Sequence, residues 1–123
     1  MAEARELKAL LVDDEQGIIR LLTRVLNGNG VATIDVAATT QEGLKLLEGE
    51  HYNLVFTDLN QQPSGVEVYR AAKAKGSEAY IMSGYAPDMN QAVEIAKDHF
   101  LGKPFNIPLI NRIIREYIAK QNP

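Results

Sequence analysis

Tyr52-Asn53-Leu54-Val55-Phe56-Thr57-Asp58 is the stretch that decides the fold. Its apolar, β-branched and aromatic side chains continue for the length of one strand and stop at a carboxylate, with Asn60 and Pro63 following as loop residues. It reads as a buried strand that delivers one acid, Asp58, to the mouth of a loop. The carboxyl edge is where parallel sheets keep their chemistry, so any other strand that ends in a compatible group would bring it to Asp58.

Toward the N-terminus, residues 7–12 form an apolar stretch interrupted only by Lys8, read as the first strand, which ends in Asp13-Asp14-Glu15. Ile18, Ile19, Leu22, Val25 and Leu26 then repeat with helical spacing and leave Gln16, Arg20, Thr23 and Arg24 outside. Asn27-Gly28-Asn29-Gly30 stops that helix, because both residue types tolerate the left-handed backbone of a helix exit. Residues 31–37 read as the second strand. Thr39 to Glu42 supplies a hydroxyl and an acid three apart, the capping box of a short helix with Leu44 and Leu47 inward, Lys45 and Glu48 in solvent, and Gly49 at its end.

Toward the C-terminus, Ser64 and Glu67 are expected to form a second capping box, over a helix that buries Val66, Tyr69 and Ala72 and closes at Gly76. Residues 78–82 give the fourth strand, ending at Ser83-Gly84. Asp88 can cap a fourth helix with a thin apolar face of Ala92, Val93 and Ala96. Phe100-Leu101 is a brief fifth strand before the turn Gly102-Lys103-Pro104-Phe105. Asn106 caps a fifth helix, with Pro108 in its first turn and Ile110, Ile113, Ile114, Tyr117 and Ile118 as its core stripe. The stretch from Lys120 reads as a polar tail, with residues 121–123 outside the core of about 8–120.

Five strands alternating with five helices over short connections imply an α/β fold: a doubly wound, five-stranded parallel sheet with right-handed crossovers and helices on both faces. The expected strand order is the flavodoxin-like 2-1-3-4-5. That order reverses the chain beside strands 1 and 3, so Asp13, Asp14 and Asp58 would share one crevice.

The chain of 123 residues suits a single domain, with enough apolar surface to fold without disulfide or metal support. It has no cysteine, which excludes thiolate zinc sites and suits a reducing cytoplasm. No apolar run reaches the length of a membrane span, and the acid-bearing start is no secretory signal. A net charge of −3 with interspersed signs gives no electrostatic footprint for nucleic acid.

Taken singly, the strand-end residues are ordinary: an acid pair suits a helix start, a serine before glycine suits a turn, and a lysine before proline suits solvent. Together they form a constellation. Two acids follow strand 1, one ends strand 3, a hydroxyl ends strand 4 and a lysine follows strand 5, all on one edge of one sheet.

From about Lys8 to Lys120 the chain resembles the receiver domain of two-component response regulators. The acid pair matches Asp13-Asp14, the phosphoacceptor Asp58, the switch hydroxyl Ser83, the lysine Lys103 with its following Pro104, and the switch aromatic Phe100. The resemblance implies a cytoplasmic signalling domain that is no enzyme beyond its own phosphorylation and dephosphorylation. A histidine kinase or phosphotransfer protein would be its donor, as in a phosphorelay, and Asp58 would become an aspartyl phosphate. It further implies Mg2+ held by Asp13, Asp14, Asp58 and the backbone carbonyl of Asn60, a cis peptide before Pro104, and a switched surface of helix 4, strand 5 and helix 5. The physics agrees with the metal: three carboxylates within about 5 Å repel by roughly 3 kcal/mol per pair at an effective dielectric near 20. Magnesium accepts one or two carboxylates, several waters and phosphate oxygens. Lys103 and Ser83 would stabilise the transferred group.

The chain departs from the family in the loop after Asp58, where Gln61-Gln62-Pro63 stands in place of Met-Pro and Gly65 comes seven residues after Asp58 rather than eight. That keeps open a phosphorylation-independent pseudo-receiver. A haloacid dehalogenase-type phosphohydrolase would need a second acid where Asn60 stands, and a flavin carrier would need a glycine-rich phosphate loop where three acids stand. Tyr85 could shield the site from water. The helix-1 face with Arg20 and Arg24 is a candidate kinase dock, and His51 and His99 are assigned no catalytic role. No output domain fits after Lys120, so a stand-alone receiver and a piece of a longer regulator are both expected forms; the downstream partner is unknown.

Overall fold

The computed structural model describes residues 6–84 and 99–121. Its sheet contains β1 (Lys8–Val12), β2 (Thr33–Ala37), β3 (Leu54–Asp58), β4 (Glu78–Ser83) and β5 (Phe100–Gly102). All pairs are parallel, and the order is β2-β1-β3-β4-β5, as expected. The described helices are α1 (Gln16–Gly28), α2 (Thr40–Gly49), α3 (Val66–Ala74) and α4 (Ile107–Gln121). The helix expected after Asp88, with Ala92, Val93 and Ala96, lies outside the described residues, as does Tyr85.

Strand periodicity divides the core in two. Leu10, Val12, Val55, Ala79 and Ile81 point to the face covered by α2 and α3, whose Leu47, Val68, Tyr69 and Ala72 meet them. The alternate residues Ala9, Leu11, Leu54, Phe56, Tyr80 and Met82 point to the opposite face, against Ile19, Leu22 and Leu26 of α1 and Ile110 and Ile114 of α4. A strand buried on both faces cannot alternate apolar with polar, which is why β3 reads as a continuous apolar run.

Several boundaries differ from the sequence reading. β2 starts at Thr33 and β3 at Leu54, because pairing begins with Lys8 opposite Thr33 and Ala9 opposite Leu54. Val31 and Tyr52 are buried in the connections instead. At the end of α1 only Gly30 takes the left-handed backbone, at φ 89°, while Asn29 stays at φ −100°. α4 runs through Gln121, so the polar stretch from Lys120 begins inside a helix.

Two helix starts match their caps. Thr39 Oγ1 accepts from Glu42 N at 3.1 Å, and Asn106 Oδ1 accepts from Leu109 N at 3.2 Å. The expected box of Ser64 and Glu67 does not form. Gly65 occupies the cap of α3, Ser64 Oγ accepts from Val66 N at 3.2 Å, and Glu67 faces Arg70 at 4.0 Å. The physical reason is the short loop: Gly65 is pressed so close to the Asp58 backbone that a Cβ on it would lie 1.9 Å from the Asp58 carbonyl oxygen. Among the described residues no helix is long and apolar enough to cross a membrane.

Candidate functional site

Strand register builds the site. Val12 lies opposite Thr57, so the residues that follow them, Asp13 and Asp58, leave the carboxyl edge of neighbouring strands side by side. Ser83 ends β4 opposite Gly102, which puts Lys103 on the same edge, and Lys103 N donates to Ser83 O at 2.8 Å. One carboxylate oxygen from each of Asp13, Asp14 and Asp58 lies within 4.8 Å of the others. Asp13, Asp58 and Ser83 are buried and Asp14 is exposed.

A buried pair of acids needs a cation, and Lys103 supplies one. Its Nζ lies 2.9 Å from Asp13 Oδ2, 3.4 Å from Asp58 Oδ1 and 2.8 Å from Glu15 Oε1. Burial disfavours the ammonium, yet hydrogen bonds to Glu15 and Asp13 and the charges of Asp13 and Asp58 outweigh it and hold the Lys103 pKa above the usual lysine range. For Asp58 the balance goes the other way. Burial pushes its carboxyl up; Lys103 pulls it down, Asp13 pushes it up again, and the net shift is upward despite the Asn60 amide. Burial thus works against the charged form of the acid at the end of β3, a cost that another cation would relieve.

The loop after β3 adds polar contacts. Asn60 N donates to Asp58 Oδ1 at 3.4 Å, and Asn60 Nδ2 donates to Ser83 Oγ at 3.3 Å. Gln61 reaches the β2–α2 corner, where its Nε2 donates to Ala38 O at 3.3 Å and its Oε1 accepts from the buried Thr40 hydroxyl at 3.2 Å. That corner is in turn tied to the acid pair by Asp13 N, which donates to Ala37 O at 3.0 Å. The peptides before Pro63 and Pro104 are both cis. Phe100 is half-buried and packs against the core on the α2 and α3 face.

The structure thus brings Asp13, Asp14, Asp58, Asn60, Ser83 and Lys103 to one edge. Phe100 sits on β5, near that edge in sequence but not in the acidic cluster. Three contributions were not read from the sequence: Glu15 as the acid nearest Lys103, the Asn60 side chain on Ser83, and the Gln61 strap. Glu15 leaves one signal. It stands at the cap of α1, where Ser, Thr, Asp or Asn is preferred, and its side chain makes no cap bond. Forgoing a side-chain cap costs a helix about 1 kcal/mol, so a glutamate there has work elsewhere.

The oxygen-only donor set of the three aspartates suits a hard divalent cation that keeps part of its water shell. Two buried acids and one exposed acid give such an ion both fixed ligands and an open side.

The family model described as response regulator receiver domain matches residues 9–115. Sporulation initiation phosphotransferase F of Bacillus subtilis is 31% identical, over 90% of this chain and 93% of its own length. The first curated relatives are longer, and the chain spans 10%, 54% and 44% of their lengths. A CheY-like receiver domain from Methanospirillum hungatei superposes with a TM-score of 0.78 at 28% identity, covering 94% of this chain and 95% of that one. A response regulator from Burkholderia pseudomallei, solved with a phosphorylated aspartic acid, calcium ion and citrate, gives a TM-score of 0.69 at 26% identity, covering 95% and 75%.

Proposed function

We propose, from the premise that the chain belongs to the response regulator receiver domain family, that Asp58 accepts a phosphoryl group from a phosphohistidine donor and that the bond it forms switches a protein-binding surface. The observation that carries this reading is the convergence of Lys103 on Asp13 and Asp58 at the carboxyl edge. Receivers of the family are signalling domains that bind divalent metal in an acidic pocket. Here Mg2+ would be held by Asp13, Asp14, Asp58 and the Asn60 carbonyl, and it would supply positive charge to the phosphoryl oxygens.

The chain's own residues perform the rest. A carboxylate oxygen of Asp58 forms the bond to phosphorus while the phosphorus–nitrogen bond of the donor breaks, and its electron pair leaves with the imidazole. Lys103 neutralises charge on the equatorial oxygens, and the Ser83 hydroxyl donates to one of them. Phosphorylation adds close to two negative charges, which draws Ser83 and its loop inward. Phe100, half-buried on the neighbouring β5, follows, and the surface of β5 and α4 together with the expected fourth helix changes for a partner. Converting a rarely active state to a mostly active one needs a differential of about 5 kcal/mol, within reach of several charge-assisted contacts.

Donor docking is proposed for the exposed side of α1, where Arg20 and Arg24 border a shallow depression with Ile19, Thr23 and Asn27. The donor is a histidine kinase or phosphotransfer protein, and the reaction is cytoplasmic. Incubation with acetyl phosphate and Mg2+, followed by intact mass measurement, tests the reading. One added phosphate on the wild type and none on Asp58→Asn is expected. Equal labelling of both would place the acceptor elsewhere, and a wild type that also fails to take up beryllium fluoride would be a pseudo-receiver.

A further inference from the structure

The acid nearest the Lys103 ammonium is Glu15, at 2.8 Å, and the proposed chemistry leaves it without a task. Its backbone is fixed from both sides: Glu15 N donates to Asp13 Oδ1 at 2.9 Å, and Glu15 O accepts from Ile19 N at 3.1 Å in the first turn of α1. From that fixed point its side chain, 58% exposed, reaches inward to a lysine that is only 12% exposed. An ammonium has three N–H donors, and here three carboxylates surround it: Asp13, Glu15 and Asp58.

We infer that Glu15 is a positioning residue that parks Lys103 in the resting state and is the partner that Lys103 gives up when a phosphoryl group arrives. The inference rests on phosphorylation of Asp58. With every donor engaged, a phosphoryl oxygen can be met only by releasing one carboxylate. As the group approaches, before its bond to Asp58 forms, releasing Asp13 or Asp58 would leave a buried charge without its lysine, whereas Glu15 regains water as it lets go. Glu15 therefore opposes phosphorylation in two ways: it competes for the lysine, and its charge repels an anionic donor.

The test compares wild type, Glu15→Gln and Glu15→Asp in labelling by acetyl phosphate with Mg2+, at low salt and at about 0.5 M salt, where long-range repulsion is screened. Glu15→Gln should label about threefold to tenfold faster, the range for one partly screened unit charge and one competing contact, and part of the gain should persist at high salt. Glu15→Asp keeps the charge but is one methylene shorter, so it too should label faster. A role in charge alone would leave it at the wild-type rate. In donor-free, Mg2+-free protein, the Lys103 Nζ resonance should shift in both variants, a signature that a purely structural role for Glu15 would not give. Labelling of both variants at or below the wild-type rate overturns the inference alone. A wild type that takes no phosphate overturns the phosphorylation reading and the inference with it.

Discussion

The side-chain amide of Asn60 donates to the Ser83 hydroxyl across 3.3 Å, so the loop that follows β3 holds the residue that ends β4. A hydroxyl accepts and donates at once, and a serine oriented in this way can direct its proton to a phosphoryl oxygen on Asp58. Ser83→Ala should leave Asp58 open to labelling but weaken the link between label and switch. A hydrogen bond to a charged group contributes about 1.5–3 kcal/mol, so the ratio of active to inactive protein should fall by at least tenfold. Amide spectra before and after labelling check this: Phe100 and Leu101 should shift in both proteins, and by less in the variant than in the wild type.

Gly65 lies where the short loop leaves no room. A Cβ there would meet the Asp58 carbonyl oxygen at 1.9 Å, a backbone atom that cannot swing aside. Gly65→Ala should lower unfolding stability by about 3 kcal/mol, at the upper end of overpacking costs. Gly17 is the control, since a Cβ added within α1 has nothing within 4 Å. Gly17→Ala should raise stability by about 0.5–1 kcal/mol through helix propensity. Urea unfolding of the pair distinguishes crowding from backbone entropy.

Much of this architecture was legible because its signals are local. The apolar run of β3, the Thr39 and Asn106 caps and the helical stripe of Ile110 and Ile114 each lie within one turn or one strand and mark the elements, while the strand order observed is the one expected of a doubly wound parallel sheet. The strand-end acids could be named because a strand's last residue lies at the sheet edge whatever the loops do. The Ser64 and Glu67 pair had the right spacing and failed, since a one-residue shortening moved the helix start onto Gly65. Glu15 on Lys103, Asn60 on Ser83 and Gln61 on Thr40 join residues 88, 23 and 21 apart. Periodicity carries no information about which way such loop side chains turn.

The Gln61 strap makes a prediction of its own. Its amide joins the loop after Asp58 to Ala38 and to the buried Thr40 hydroxyl, and through Ala37 to the backbone of Asp13. Gln61→Leu and Thr40→Val should each cost about 0.5–1.5 kcal/mol, the net worth of a neutral hydrogen bond. In the double variant the costs should fall short of additive by about 0.5 kcal/mol or more, as expected for residues in one network. A thermodynamic cycle by chemical denaturation measures the coupling. Additive losses would mean that the loop is held by other contacts.

Asp58 should make the protein less stable than it could be. Burial raises its carboxyl pKa above the ordinary value, with Asp13 adding to the rise and Lys103 offsetting only part of it. A group whose folded pKa is raised adds stability that is fully present below the unfolded pKa and is lost as pH rises through the folded pKa. At neutral pH and without metal, the ionised Asp58 is therefore a net burden, one that a site built for phosphorylation retains. Asp58→Asn keeps the shape, removes the charge and should raise the melting temperature at pH 7 in chelated buffer. The gain should shrink as pH is lowered through the carboxylate range, because the wild-type acid then takes up its proton. Added Mg2+ should reverse the order by stabilising the wild type more than the variant. Thermal unfolding of both proteins across pH, with and without Mg2+, checks all three signs. A variant less stable than wild type in chelated buffer at pH 7 would show that the attraction between Lys103 and Asp58 outweighs the cost of burial.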